Sequence, residues 1–191
     1  MVDAMRQRRM RDEPQVDETA LVEACGRGDR AALSALFERF HLDVYRFLAR
    51  MMGRHAREVE DLVQMTFLEL ARSAARFRGN SQVRSWIFGI ASNVARRFVR
   101  DEARRQRLLS TIASDALTTL ASSDRPSARS ERLRVALAQL PHELRVVFVM
   151  CGIEGVSGAE ASAALDVPVG TIWRRLHEAR NALSDALGGP R

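Results

Sequence analysis

Apolar residues recur at three- and four-residue spacing along nearly the whole chain, which is the period of an amphipathic helix. Strand signals are missing: there is no β-branched alternation, and no Asn-Gly or Asp-Gly hairpin turn. The pattern predicts an all-α protein. A short helix covers 19–26 and ends at Gly26. Asp29 caps a long one that reaches Met52, with Leu33, Leu36, Phe37, Phe40, Val44, Phe47, Leu48 and Met51 on its apolar stripe, and Gly53 stops it. A third helix runs from about Ala56 to Phe77, its positive N-terminus favoured by Glu58, Glu60 and Asp61. After a break at Gly79-Asn80, Ser81 caps a fourth helix that reaches about Arg107.

Helices are shorter beyond residue 130. One spans Ser130–Leu140. Pro141 opens the next, which ends near Ile153. Ser157, with Glu160 three residues on, reads as a capping box for a helix to Leu165. Asp166-Val-Pro makes a tight turn, and a last helix covers Val169–Leu187. Residues 1–18 mix arginines, acids and Pro14 without periodicity and read as a disordered tail. Residues 108–129 are rich in Ser, Thr, Ala and Asp and read as a flexible linker, with a transient helical patch at Leu108–Ile112. The expected layout is therefore two small helical domains, 19–107 and 130–191, on either side of that linker.

Charge narrows the function. All 30 basic residues are arginine, and formal net charge is +6. Arginine use of this kind reads first as the codon bias of a GC-rich genome. It also suits a phosphate-bearing partner, because the guanidinium fork binds phosphate bidentately. The excess is local: residues 81–107 carry seven Arg against Asp101 and Glu102, whereas residues 131–191 balance seven Arg with seven acids. Cys25 and Cys151 lie in different predicted domains with no ligand spacing around them, so no metal site or disulfide is expected. They read as reduced apolar fillers of a cytoplasmic protein. No apolar run approaches a membrane span, and no signal-peptide core precedes the helices. No nucleophile–base pair, phosphate-cradling loop or cofactor motif is present, so neither catalysis nor a small-molecule substrate is expected.

Three faces carry candidate chemistry. On the third helix, Met65 and Leu68 stand opposite the core stripe, flanked by Asp61 and Gln64. They read either as scattered surface residues or as a partner patch. On the fourth, Ser85, Gly89, Ser92, Arg96, Arg100 and Ala103 form a stripe of small and basic residues. It reads either as a solvated face or as a track for a nucleic-acid strand. Residues 157–187 have the form of a helix-turn-helix, whose second helix faces the major groove. There Thr171, Arg174, Arg175 and Glu178 point outward, with Trp173 and His177 at the flank. Arg can read guanine O6 and N7, and Glu can accept from cytosine N4. Trp173 reads equally well as a helix-edge packing residue.

Four blocks in order then carry a resemblance: Asp61-Leu-Val-Gln-Met-Thr-Phe67, Phe77-Arg-Gly-Asn-Ser81, Trp86 with Ile90-Ala-Ser-Asn93, and Asp101 with Arg104-Arg105. Downstream come Leu140-Pro141, Arg145, Gly170-Thr-Ile172, Arg175-Leu176 and Ala179-Arg180. Together they resemble the bacterial extracytoplasmic-function (ECF) sigma factors of RNA polymerase, over about 19–107 and 130–187. The resemblance implies a four-helix sigma domain 2 and a helix-turn-helix sigma domain 4. Core polymerase would meet the chain through its β′ clamp helices and β flap, with Asp61, Gln64, Met65 and Leu68 on the polymerase-facing surface. Asn80, Ser81, Trp86, Asn93, Arg96, Arg97 and Arg100 would serve the minus-ten DNA. Thr171, Trp173, Arg174, Arg175, His177 and Glu178 would serve the minus-thirty-five DNA. The family also implies an anti-sigma factor, often membrane-anchored.

Departures from the pattern are Met65 where Glu is usual, Trp173 where Lys or Arg is common, Glu178 where Arg is common, and Ala161-Ser162 in place of Ile-Ala. Two rival functions share these motifs: a helix-turn-helix regulator that needs no polymerase, and a sigma-like decoy that sequesters an anti-sigma factor. A second nucleic-acid face at 56–107 argues against the first. Retention of Arg96, Arg97, Arg174 and Arg175 argues against the second.

Overall fold

The computed structural model describes residues 17–110 and 128–188. Most of the expected tail and linker, and the end of the Leu108–Ile112 patch, lie outside those residues. Among the described residues every regular element is helical.

Asp17 caps α1 (Glu18–Gly26), its carboxylate accepting from the Thr19 amide at 2.9 Å. Asp29 caps α2 (Arg30–Met52), accepting from the amides of Ala31 and Ala32. The expected third helix is three pieces: a 3-10 segment at Gly53–Glu58, α3 (Val59–Ser73), and a 3-10 turn at Ala74–Arg76. His55 holds non-helical backbone angles inside the first piece, so the α2–α3 connection tightens where the sequence suggested one continuous helix. The fourth helix, α4 (Val83–Ser110), starts two residues later than Ser81. Phe47 of α2 stacks on Phe88 of α4 with ring centroids 4.6 Å apart, at the centre of a core that also buries Leu36, Val44, Leu48, Leu62, Leu70 and Ile87. Phe37 does not join that core although it falls on the apolar stripe of α2.

The second unit opens with α5 (Ala128–Gln139). A helix follows that begins as α6 (His142–Val147) and widens into a π-helical turn, Phe148–Ile153. Ser157 and Glu160 form the expected reciprocal cap on α7 (Gly158–Leu165): the serine hydroxyl accepts from the Glu160 amide, and the Glu160 carboxylate accepts from the Ser157 amide. Asp166 turns the chain in the left-handed region, and α8 (Val169–Leu187) ends at Gly188. Ile172, Leu176, Ala179 and Leu183 are the buried stripe of α8, as its periodicity predicts.

The two units are packed together. α7 lies on α4, α5 touches α2 and the 3-10 segment after it, and the π turn meets α2. One buried cluster runs from Val22 and Leu36 through Ile87 to Val146, Met150, Ala161 and Ile172. A smaller one joins Ala136, Leu137 and Leu140 to Ala179 and Leu183.

Candidate nucleic-acid and partner interfaces

The α3 face stands clear of the core. Met65 is 50% and Leu68 58% exposed, with Asp61 and Gln64 beside them in solvent. Next to this face is a shallow groove between α2 and α3, lined by Leu33, Phe37, Glu38, Gln64, Phe67 and Leu68. Phe37 packs edge-on against Phe67 at 4.9 Å and stacks on His41 at 5.1 Å, so its outer face forms the groove wall. Leu33 and Phe37 were missed as candidates because periodicity assigned both to the core. The signal that separates them is their position at the edge of the α2 stripe, where an apolar residue has no third helix to cover it.

The loop before α4 holds Asn80 in solvent and Ser81 half-buried. Trp86 is half-buried too, its ring 4.8 Å from Phe77 at a tilt of 46°, and this contact ties the loop to the first turn of α4. Nearly three turns on, Arg96 donates to the Asn93 side chain at 3.3 Å, and Arg97 and Arg100 are exposed. Arg96, Arg97 and Arg100 form a basic face at the middle of α4.

The small-residue half of that stripe is elsewhere. Ser85 and Ser92 are 2% and 3% exposed, and Gly89 is buried between them. A Cβ on Gly89 would come within 2.3 Å of the Ala164 carbonyl oxygen of α7. Reading Ser85, Gly89 and Ser92 as part of a nucleic-acid track is therefore corrected for this arrangement. They let α7 approach α4, and only the arginine half of the stripe faces solvent.

On α8, Thr171 and Arg175 are half-buried, while Trp173, Arg174, His177 and Glu178 are exposed. Arg174 donates to Glu178 at 2.8 Å, across one helical turn. His177 lies 3.0 Å from the Asn181 amide nitrogen. Trp173 is 55% exposed, and its inner edge lies over Gly158, where a Cβ would sit 2.5 Å from the indole. Both readings of Trp173 hold at once: one edge packs and the other faces out. The core of α7, thin because of Ala161-Ser162, is completed differently from the family pattern. Ser162 donates to the Val167 carbonyl at 2.6 Å and ties the turn between the two helices.

The contact between the units has its own chemistry, which no motif announced. Glu154, at the end of the π turn, accepts from Arg84 of α4 at 2.5 Å and from Arg50 of α2. Arg84 also donates to Asp43 at 2.8 Å and lies over the Phe88 ring at 4.6 Å. Arg145 donates to the carbonyls of Ala138 and Leu140 on its own side and to Met51, at the C-terminal end of α2, on the other. His142 sits against Ser92 and Arg96. Its pKa is pushed down to about 4, first by burial, which disfavours the imidazolium, with Arg145 and Arg96 acting the same way and Glu143 and the Ser92 backbone opposing. Burial pushes the Cys25 and Cys151 thiols up, as fits apolar fillers. Among the described residues no cluster of His, Cys, Asp and Glu could hold a metal, and no helix is long and apolar enough to cross a membrane.

Comparison with known proteins decides the family. The model for sigma-70 region 2 matches residues 36–105, and that for sigma-70 region 4 matches 130–183. The ECF RNA polymerase sigma-E factor of Haemophilus influenzae is 30% identical over 184 residues, which span 91% of this chain and 96% of that protein. The chain belongs to the ECF sigma factors. It is an alternative sigma factor, a subunit that binds core RNA polymerase and directs initiation at particular promoters. The RNA polymerase sigma-H factor of Pseudomonas aeruginosa is similar to it, 29% identical over 91% of this sigma factor and 95% of its own length. The fold matches the sigma factor RpoE of Bartonella quintana, solved with the anti-sigma factor NepR. The TM-score is 0.67 at 22% identity, over 83% of this sigma factor and 98% of that chain. It also matches CnrH, solved with the cytosolic domain of CnrY: TM-score 0.64 at 26% identity, over 90% and 97% of the two chains.

Proposed function

We propose a division of labour among the three faces. Core polymerase docks on the α2–α3 groove and the adjoining Asp61, Gln64, Met65 and Leu68 surface. The Asn80–Ser81 loop, Trp86, Asn93 and the mid-helix Arg96, Arg97 and Arg100 face of α4 engage the minus-ten element. Thr171, Trp173, Arg174, Arg175, His177 and Glu178 of α8 engage the minus-thirty-five element. Residues 19–107 and 130–191 then act as separate units joined by residues 108–129. The reading rests chiefly on the pairing of an apolar, uncovered α2–α3 face with an outward-facing recognition helix in one chain. A simple operator binder has no use for the first.

Catalysis in this scheme belongs to the polymerase, and the isolated chain turns nothing over. Its place is the cytoplasm, where polymerase and promoter are. An anti-sigma factor is the expected regulator, in line with the partners in the solved complexes of two similar sigma factors. The test is run-off transcription with core polymerase on the DNA upstream of the chain's own gene. Wild type should initiate at one start site, and Gln64→Arg with Leu68→Arg should lower initiation at least tenfold with helical content unchanged. Equal transcription by that double variant would remove the α2–α3 face as the docking site. No transcription by wild type would favour a regulator that acts without polymerase, or a decoy.

A further inference from the structure

The groove-facing start of α8 is apolar. Recognition helices present their N-terminal residues to base edges. Here the first five residues of α8, Val169-Gly-Thr-Ile-Trp173, carry no charge, and Arg174 is the first that does. Ile172 is buried and Thr171 is half-buried. Gly170 is exposed and offers no side chain; a Cβ there would meet nothing within 4 Å. What stands out from this end of the helix is therefore Val169, 45% exposed, and Trp173, 55% exposed. They are four residues apart and so share one side of the helix, one above the other.

The neighbouring polar groups are already engaged. Arg174 donates to Glu178, and His177 lies against Asn181. Residues 131–191 balance seven Arg with seven acids, so this unit gains little from counterion release along the phosphates. Trp173 is held as well as exposed. Its indole lies over Gly158, the first residue of α7, where an added Cβ would come within 3.1 Å of Cζ2, Cε2 and Cη2. Gly158 is itself buried, and the Ser157–Glu160 box fixes the turn that carries it. A tryptophan fixed along one edge presents the other at a defined place, with little side-chain entropy left to lose on binding.

Only one base offers an apolar group in the major groove: thymine, through its C5 methyl. We propose that Val169 and Trp173 form an apolar edge that reads thymine methyl groups in the minus-thirty-five element, an assignment that depends on α8 engaging that element as set out above. Four residues of helix rise about 6 Å, close to two base-pair steps of about 3.4 Å each, so the pair matches methyls roughly two steps apart. An arginine at position 173 would instead fork a guanine or a phosphate. The indole thus changes the class of base that this helix favours.

Deoxyuridine in place of thymidine removes the methyl and nothing else, so it isolates this contact. Holoenzyme of core polymerase and the full-length chain is measured in equilibrium binding to the promoter of the run-off test. Each thymine of the minus-thirty-five element, on either strand, is replaced by deoxyuridine in turn. Wild type should bind roughly three- to fivefold more weakly at one or two of those positions, the loss of one buried methyl each. Trp173→Arg and Val169→Ser should each abolish the penalty at one position, and deoxyuridine in the spacer should cost nothing.

An element without thymine, or wild-type binding indifferent to every deoxyuridine, overturns the proposal. A penalty that survives in both variants does so too, since another side chain would then hold the methyl. Circular dichroism checks the variants: if one loses helicity, the other decides; if both do, the pair is structural and the assignment is wrong. Arg174→Ala separates this failure from that of the wider reading. If it still relaxes preference at a base of the element, α8 reads the element without the methyls. If neither it nor any base change in the element alters binding, α8 does not engage the element, and both readings fall.

Discussion

His142 gives the contact between the units a pH dependence. Its pKa is about 4 here against an ordinary 6.5, so the separated or unfolded chain binds the proton more tightly. The stabilisation is therefore complete above pH 6.5 and is lost as pH falls toward 4. Going from pH 7 to pH 5 should cost roughly 1–2 kcal/mol, visible as a lower urea midpoint, and His142→Asn should flatten that profile. Arg174 and Glu178 make a second prediction at this scale. Their ion pair is exposed and contributes little to stability, but it holds the guanidinium outward. Arg174→Ala should cost about 1–3 kcal/mol at one base position, in binding of holoenzyme to single-base promoter variants. Glu178→Ala should lose part of the same preference at the same position. If it instead loses a different base, Glu178 reads DNA itself. Of these residues the sequence disclosed Arg174 and Glu178 through their place on a recognition helix. His142 was not legible, because a lone histidine after a proline says nothing about a helix that arrives from the other unit.

At the level of elements, caps and stripes were the legible part. Asp29, the Ser157–Glu160 box and the α8 stripe can be read because each depends on neighbours within one turn. The breaks at Gly53–Glu58 and Ala74–Arg76 were not legible, because long-range packing decides whether an amphipathic run bends. The α4 stripe is the instructive error. Small residues that permit close approach look the same whether the visitor is a nucleic-acid strand or a helix, and here it is α7. Gly158 offers a test between α7 and α8. A methyl there meets the Trp173 indole, which is exposed enough to swing away. Gly158→Ala should shift Trp fluorescence and change minus-thirty-five preference while moving Tm by only a few degrees. A large loss of Tm would mean the indole is structural and has no freedom to read DNA.

For the whole molecule, the interactions fall into two classes that salt should separate. DNA binding through exposed arginines releases counterions and weakens steeply as salt rises. The Glu154 carboxylate is nearly buried, although its arginine partners are about a third exposed, so this cluster is screened less than a fully exposed pair. Raising salt from 50 to 300 mM should therefore reduce promoter binding by orders of magnitude and leave the radius of gyration of the free chain unchanged. An expansion that follows the loss of binding would place the Glu154 contact among ordinary surface ion pairs. The α6 helix widens into a π turn over Phe148–Ile153, immediately before Glu154. Such a turn holds one residue more than a regular helix would, and each residue of an α-helix turns its successors by about 100°. Deleting one residue, Gly152 for instance, would regularise the helix and swing Glu154 a quarter-turn or more away from Arg50 and Arg84, with every charge in the protein retained. The Glu154 contact between the two units thus depends on chain length as much as on chemistry: a one-codon deletion should break it with the ionic inventory of the protein untouched.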